Sequence, residues 1–354
     1  MEKLRVGVIG SGGMAVHHMK AYRTNPAVEF LAICDKNIHA AESRAKEYGV
    51  KDIYSDYREL LKRTDLDAVS IVTPNFTHAE FTQAALAEGK HVLCEKPPAL
   101  NVHDTVRMVE AAKAKGKLLM FGFNGRFSEK IQCLKTYSRQ GTLGDIYYVK
   151  TGYIRRCGNP GGWFATKELS GGGPLIDLGV HMIDLAIYLM GNPTPEYVFS
   201  STYNKFGMRS HLKGIDWYKS SSFETGKFDA EDLAVALVKF TNGATLFLET
   251  GFDMHMKELE EIVYLEVFGD KAGARVEPGF EIFSEQNDYL VDIKPVLNDP
   301  TLNWGKCLEA EVNHFVDCIL HHTPSLIPAE DAITVMKIIA AIYESSQKSA
   351  LVHI

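Results

Sequence analysis

No stretch of the sequence concentrates positive charge: 38 Lys and Arg against 45 Asp and Glu leave a formal net charge of −7 over 354 residues. Neutralising a nucleic-acid backbone needs a basic surface, so no nucleic-acid partner is expected. A nucleotide pocket stays open, because local backbone dipoles rather than net charge hold a phosphate. Cysteine is scarce, and the six present, at 34, 94, 133, 157, 307 and 318, form neither C-x-x-C pairs nor zinc-ribbon spacings. They read as reduced thiols of a cytoplasmic protein. No metal is expected, since His17, His18, Cys318, His321 and His322 lack a matching third ligand. No apolar run reads as long enough to cross a bilayer, and no membrane association is expected. The opening MEKLRVGVIG passes into a strand pattern without the apolar stretch and cleavage site of a secretory signal. Internal repeats and low-complexity tracts are missing as well.

What is there is an ordinary globular composition, 45% hydrophobic and 23% charged, in a length that fits two domains. Over 1–123, short β-branched runs alternate with helical patterns, the signature of a parallel sheet wound with helices. Strands are predicted at 5–9, 29–34, 67–72, 91–94 and 117–121. Asn25-Pro26 and Gly49 stop the helices between them, and Gly116 closes a further helix over 101–115. Over 124–354 the alternation gives way to a second, α+β domain. It holds an apolar helix at 174–190 and strands that include 233–240, 244–250 and 262–268, with Thr241-Asn242-Gly243 as a hairpin signal. An open antiparallel sheet covered by helices on one face leaves the other for self-association, as a homodimer or homotetramer. Helices at 303–322 and 329–348 follow, Pro328 entering the second. That terminal helix is open to packing on either domain.

Directly after the first strand, Gly10-Ser11-Gly12-Gly13-Met14-Ala15 forms a G-x-G-x-x-A pattern that opens a helix. The first glycine permits the tight turn and the second lets backbone approach a pyrophosphate. Ala15 allows close packing, and the phosphate lies at the positive helix end. Asp35, ending the second strand, stands where an acid bonds a ribose 2′-hydroxyl, which favours NAD over NADP. Lys36 beside it weakens that preference. The competing reading is a glycine-rich turn serving another ligand. Ligands of open α/β sheets bind along the carboxyl edge, where two more segments end: Thr73-Pro74-Asn75 with Thr77 and His78, and Glu95-Lys96-Pro97. Thr77 also reads as a plain N-cap and His78 as a solvent-facing first-turn residue.

In the second domain, Asp177 and His181 lie four apart on an otherwise apolar helix, hence on one face. One reading is a buried, internally satisfied pair. The other is chemical: alcohol oxidation removes a hydroxyl proton as hydride leaves, histidine titrates near the working pH, and the ammonium of Lys96 can stabilise developing alkoxide charge. Between Tyr153 and Phe164 runs a glycine-rich loop with Arg155, Arg156 and Trp163. It serves either as a pocket wall, with Trp163 stacked on a sugar ring, or as a subunit contact.

Taken together, GVIGSGGMA at 7–15, VTPNFTH at 72–78, CEKP at 94–97, GFNGRF at 122–127 and DLGVH at 177–181 resemble the Gfo/Idh/MocA family in order and approximate spacing over nearly the whole chain. The resemblance implies a Rossmann domain followed by an α/β domain with a large, mostly antiparallel open sheet that packs in dimers or tetramers. It implies Lys96 shared between nicotinamide and substrate, Asp177 as acidic partner and His181 as general base. Glu95, Asn75 and His78 would line the cofactor, the Lys96-Pro97 peptide would be cis, and Asn124 and Arg126 would lie at the domain junction, Arg126 facing substrate or the second domain. Ala15 for a third glycine and Gly125 for a larger residue are mild departures. The expected activity is NAD-dependent oxidation of a secondary alcohol on a polyhydroxylated small molecule, a sugar or cyclitol. Competing readings are a non-catalytic dinucleotide or sugar sensor and an enzyme that retains and recycles its NAD.

Overall fold

The computed structural model describes residues 3–207, 209, 211–212, 227–257, 262–299 and 303–354. The chain divides into two compact units, Met1–Phe127 with Asn303–Ile333, and Ser128–Leu302 with Thr334–Ile354.

The first unit runs β1 (Leu4–Ile9), α1 (Gly13–Thr24), β2 (Val28–Cys34), α2 (Ile38–Tyr48), β3 (Asp52–Tyr54), α3 (Tyr57–Leu61), β4 (Ala68–Ile71), α4 (His78–Ala87), β5 (His91–Cys94), α5 (Val102–Lys115) and β6 (Leu119–Phe121). The strands form one parallel sheet in the order β3-β2-β1-β4-β5-β6. Because right-handed crossovers leave β1 in one direction and β4 in the other, the order reverses between those two strands and opens a crevice at their carboxyl ends. The strand β3 and the helix α3 were not predicted: three half-buried residues and a five-residue helix are too short to carry a period. The last strand starts two residues later than predicted because Lys117 N–H donates to Ala112 O, completing the left-handed cap at Gly116 that ends α5.

The second unit contains α6 (Glu129–Arg139), β7 (Ile146–Ile154), α7 (Lys167–Ser170), α8 (Val180–Leu189), β8 (Pro195–Tyr203), β9 (Leu233–Phe240), β10 (Thr245–Gly251), β11 (Val263–Gly269), β12 (Ala272–Glu277), β13 (Glu281–Gln286) and β14 (Tyr289–Ile293). A helix α9 (Trp304–His321) then returns to the first unit, α10 (Asp331–Lys348) crosses into the second, and β15 (Val352–His353) ends the chain's sheet structure. The nine-stranded sheet, ordered β14-β13-β12-β11-β7-β10-β9-β8-β15, is antiparallel except for the β7 and β10 pair. Its strands alternate burial with a period of two, as in β9, where Ala234, Ala236, Val238 and Phe240 point inward. The fold is therefore the Rossmann domain plus large open sheet that was expected.

One expectation about length is corrected. The helical stretch Lys167–Leu189 is long and apolar enough, by composition alone, to cross a membrane, but 89% of its apolar window is buried inside the protein. It is a core helix. Nor is it uniformly α-helical: Leu175–Gly179 forms a π turn before α8 begins at Val180. Such wide turns commonly mark functional sites.

Candidate active site

The glycine-rich turn sits at the crevice. Gly10 has φ +106°, and a Cβ there would lie 2.0 Å from the Val72 carbonyl oxygen, so only glycine lets the turn after β1 pass against the end of β4. Gly12 caps α1 without a side-chain hydrogen bond, no acidic residue occupies the first turn, and a Cβ on Gly12 would meet nothing within 4 Å. Among the described residues, then, the first N–H groups of α1 have no side-chain partner and have open space over Gly12, which fits a dinucleotide phosphate. Ser11 is buried, Gly13 starts the helix, and Met14 is 44% exposed. Asp35 braces the turn: its Oδ2 accepts from Ser11 N (2.8 Å) and Ser11 Oγ (2.6 Å), and its Oδ1 accepts from Asn37 N (2.8 Å). Lys36 beside it is exposed.

Along the same edge, Pro74 leads a single 3-10 turn, Thr73 Oγ1 meets Thr77 Oγ1 at 2.6 Å, and Thr77 Oγ1 donates to Pro74 O. His78 is wholly buried, its Nδ1 and Nε2 lying 2.7 and 2.8 Å from the carbonyl oxygens of Pro97 and Thr73. Burial pushes its pKa down, opposed by those two carbonyls. The ring is not solvent-facing; it ties the loop after β4 to the loop after β5. The Lys96-Pro97 peptide is cis. Glu95, 6% exposed, accepts from Lys96 N at 3.1 Å and pairs with His18 Nε2 at 2.9 Å, while His18 Nδ1 contacts Ser70 Oγ and Ser70 contacts the Tyr22 hydroxyl. Burial pushes the Glu95 carboxyl up, and the hydrogen bond and charge of His18, with the Lys96 ammonium and N–H, outweigh it and hold it below its ordinary value. Gly122 leaves room for that carboxylate: a Cβ there would sit 2.9 Å from Glu95 Oε2. Asn75 and Asn124 are nearly buried at the same edge, and Asn124 Oδ1 has no hydrogen-bond partner among the described residues. Within 92–99 every residue is buried except Lys96.

The expectation that Arg126 reaches substrate is corrected. It is 1% exposed, and its Nη1 donates to Asp331 Oδ2 (2.8 Å) and to Leu326 O (3.0 Å). A guanidinium this deep needs a carboxylate, and Asp331 at the start of α10 supplies it.

In the second unit the run 172–189 is buried throughout except at Asp177, and His181 is 9% exposed. The π turn carries Asp177, whose N–H donates to Gly173 O at 3.1 Å, and α8 carries His181 one turn later. Tyr153, 8% exposed, is the last residue but one of β7. Its hydroxyl accepts from Arg155 Nη2 at 3.0 Å, and its ring is covered by the Arg155 guanidinium at 4.8 Å. Trp163, 9% exposed, stacks on Phe164 at 3.8 Å. Each aromatic thus has one face occupied from within the unit. Among the described residues no group of three or more His, Cys, Asp or Glu is placed to hold a metal ion. His18, Ser70, Glu231 and Tyr343, which support these residues, belong to no recognised motif.

Residues 4–123 match the description "Oxidoreductase family, NAD-binding Rossmann fold", and residues 139–354 match "Oxidoreductase family, C-terminal alpha/beta domain". The chain is 33% identical over 356 residues to D-glucoside 3-dehydrogenase of Escherichia coli (strain K12), covering 99% of this chain and 97% of that protein. It is 29% identical over 269 residues to levoglucosan dehydrogenase of Pseudarthrobacter phenanthrenivorans, covering 72% and 69% of the two chains. A solved structure of levoglucosan dehydrogenase in complex with NADH superposes with a TM-score of 0.84 at 26% identity, covering 99% of both chains.

Proposed function

The chain belongs to the Gfo/Idh/MocA oxidoreductase family, and from that premise we propose that it is an NAD-dependent dehydrogenase acting on a secondary alcohol of a sugar, cyclitol or sugar derivative. Hydride acceptance is the chemistry that NAD supplies when bound. The turn from Gly10 to Met14 and the amino end of α1 hold its phosphates, and Asp35 selects a free 2′-hydroxyl. His181 takes the hydroxyl proton on a ring nitrogen, Asp177 orients the reacting group, and the Lys96 ammonium donates to the hydroxyl oxygen and stabilises negative charge forming there. Thr73, Asn75, Glu95 and Asn124 shape the cofactor edge, and Tyr153 and Trp163 belong to the substrate wall.

One observation carries the reading. Each unit contains a long buried run interrupted at a single ionisable residue, Lys96 in 92–99 and Asp177 in 172–189. Lys96 and Asp177 are thus the side chains of those two runs that stay accessible to a bound group. The relatives that act on a D-glucoside and on levoglucosan favour a glycoside ring hydroxyl within the proposed class.

The proposal includes a cytoplasmic location and a homodimer or homotetramer formed through the open sheet. Support for the association comes from Phe199, which pairs with Leu237 across β8 and β9, the two being 53% and 48% exposed. NADH absorbance, followed with purified protein, NAD or NADP, and a panel of glycosides, inositols, aldoses and sugar acids, tests the function. Turnover with NAD on a polyhydroxylated substrate is expected; NAD binding without turnover on any of them points to a sensor.

A further inference from the structure

The glycine-rich turn that opens the Asp177 helix is pinned by two residues distant in sequence. The Glu231 carboxylate, 7% exposed, accepts from Gly173 N (2.9 Å), Leu175 N (3.2 Å) and the Tyr343 hydroxyl (2.9 Å). The turn is shaped around them: a Cβ on Gly172 would lie 1.8 Å from Tyr343 Oη, and one on Gly173 would lie 2.0 Å from the Glu231 carbonyl oxygen. Both residues are themselves fixed. Glu231 sits just before β9, where Asp229 N and Ala230 N donate to Ala165 O and Asp232 N donates to Tyr203 O at 2.7 Å. Tyr343 lies within α10 with the Lys167 ammonium 5.0 Å from its ring centroid. Its burial and the neighbouring carboxylate push its phenol up, so it remains a donor. A carboxylate at this position also complements the positive end of the helix that follows.

We propose that Glu231 and Tyr343 are positioning residues for the reaction: they clamp the turn at 172–175 so that the π turn begins there and Asp177 breaks out of an otherwise buried run, with His181 one turn behind it. Asp177 N donating to Gly173 O links the clamp to the acidic residue directly. The inference rests on the proposed roles of Asp177 and His181, and it adds the parts that hold them.

The test compares the full-length wild type with Tyr343→Phe, which removes one donor at constant ring volume, and Glu231→Gln, which replaces one of the two accepting oxygens by an NH2 group that cannot accept the N–H it would face. Hydrogen exchange of peptides covering 173–181 is expected to accelerate about tenfold or more in both, since a hydrogen bond to a charged group is lost. At a temperature where the variants stay folded, kcat is expected to fall about tenfold or more, with KM within about threefold and the Kd for NAD unchanged. Should Glu231→Gln fail to fold, Tyr343→Phe carries the test alone. Wild-type exchange overturns the clamp, and faster exchange with unchanged kcat makes the pair structural only and also overturns the proposal. Full activity in His181→Ala sinks the functional reading instead, and exchange, which needs no substrate, keeps the two failures apart.

Discussion

In the first unit the sequence motifs brace one another, whereas in the second a single motif is braced from outside. Asp35 bonds Ser11 of the glycine-rich turn, His78 ties the loop after β4 to the loop after β5, and Glu95 holds the Lys96 N–H. Parallel βα units deliver all their loops to one sheet edge, so the motif ends meet there. The Asp177 helix, by contrast, depends on Glu231 ahead of β9 and on Tyr343 in α10. The two candidate sites are thus built on supports of different range, and under the proposed function mutations in the two units should separate binding from turnover.

The most severe way to break the first unit is Arg126→Ala. Removing one partner of its buried pair with Asp331 is expected to cost about 3–5 kcal/mol, read as a drop in the denaturant midpoint. A matched pair of glycine changes sharpens the contrast. Gly10→Ala forces a Cβ against the Val72 carbonyl and should weaken NAD binding by roughly two orders of magnitude, from about 3 kcal/mol of strain. Gly173→Ala meets the Glu231 carbonyl as closely and should lower kcat while leaving the Kd for NAD within about twofold. Titration of NAD by fluorescence, alongside initial rates, distinguishes the two. Asp35→Ala acts on a finer scale: NADP should gain on NAD by about tenfold in kcat/KM, roughly 1.4 kcal/mol.

The smallest effect is on pH. Burial first, and then the Lys117 ammonium, push the His91 imidazole down to about 4 from its ordinary 6.5. The unfolded chain then binds the extra proton through this interval while the folded chain does not, so stability rises with pH between the two values and is lost as pH falls. Discounted for partial exposure, His91 contributes on the order of 1 kcal/mol, and His91→Gln should flatten the acid limb of the melting curve against pH by that amount.

Much of the first unit was legible because its signals are local. Strand, glycine-rich turn and helix follow one another from Leu4 to Thr24, and Gly49 and Gly116 end helices where the sequence places them. In the second unit the hairpin at Thr241-Asn242-Gly243 was equally local, with Gly243 at φ +87°. What escaped was long-range. Arg126 read as facing substrate or the second domain because nothing near it in sequence revealed Asp331. For His18, the partner Glu95 follows β5, two strands away from β1 in the sheet, and the pairing was not legible. The π turn at Leu175–Gly179 was hidden in a helical pattern, since a widened turn leaves the apolar composition unchanged.

The central claim is tested most directly by measuring NAD affinity and NADH formation together in wild type and His181→Ala, with a substrate that the wild type turns over. A loss of turnover of about 10²–10⁴-fold is expected, with the Kd for NAD unchanged. A His181→Ala protein as active as wild type would contradict it.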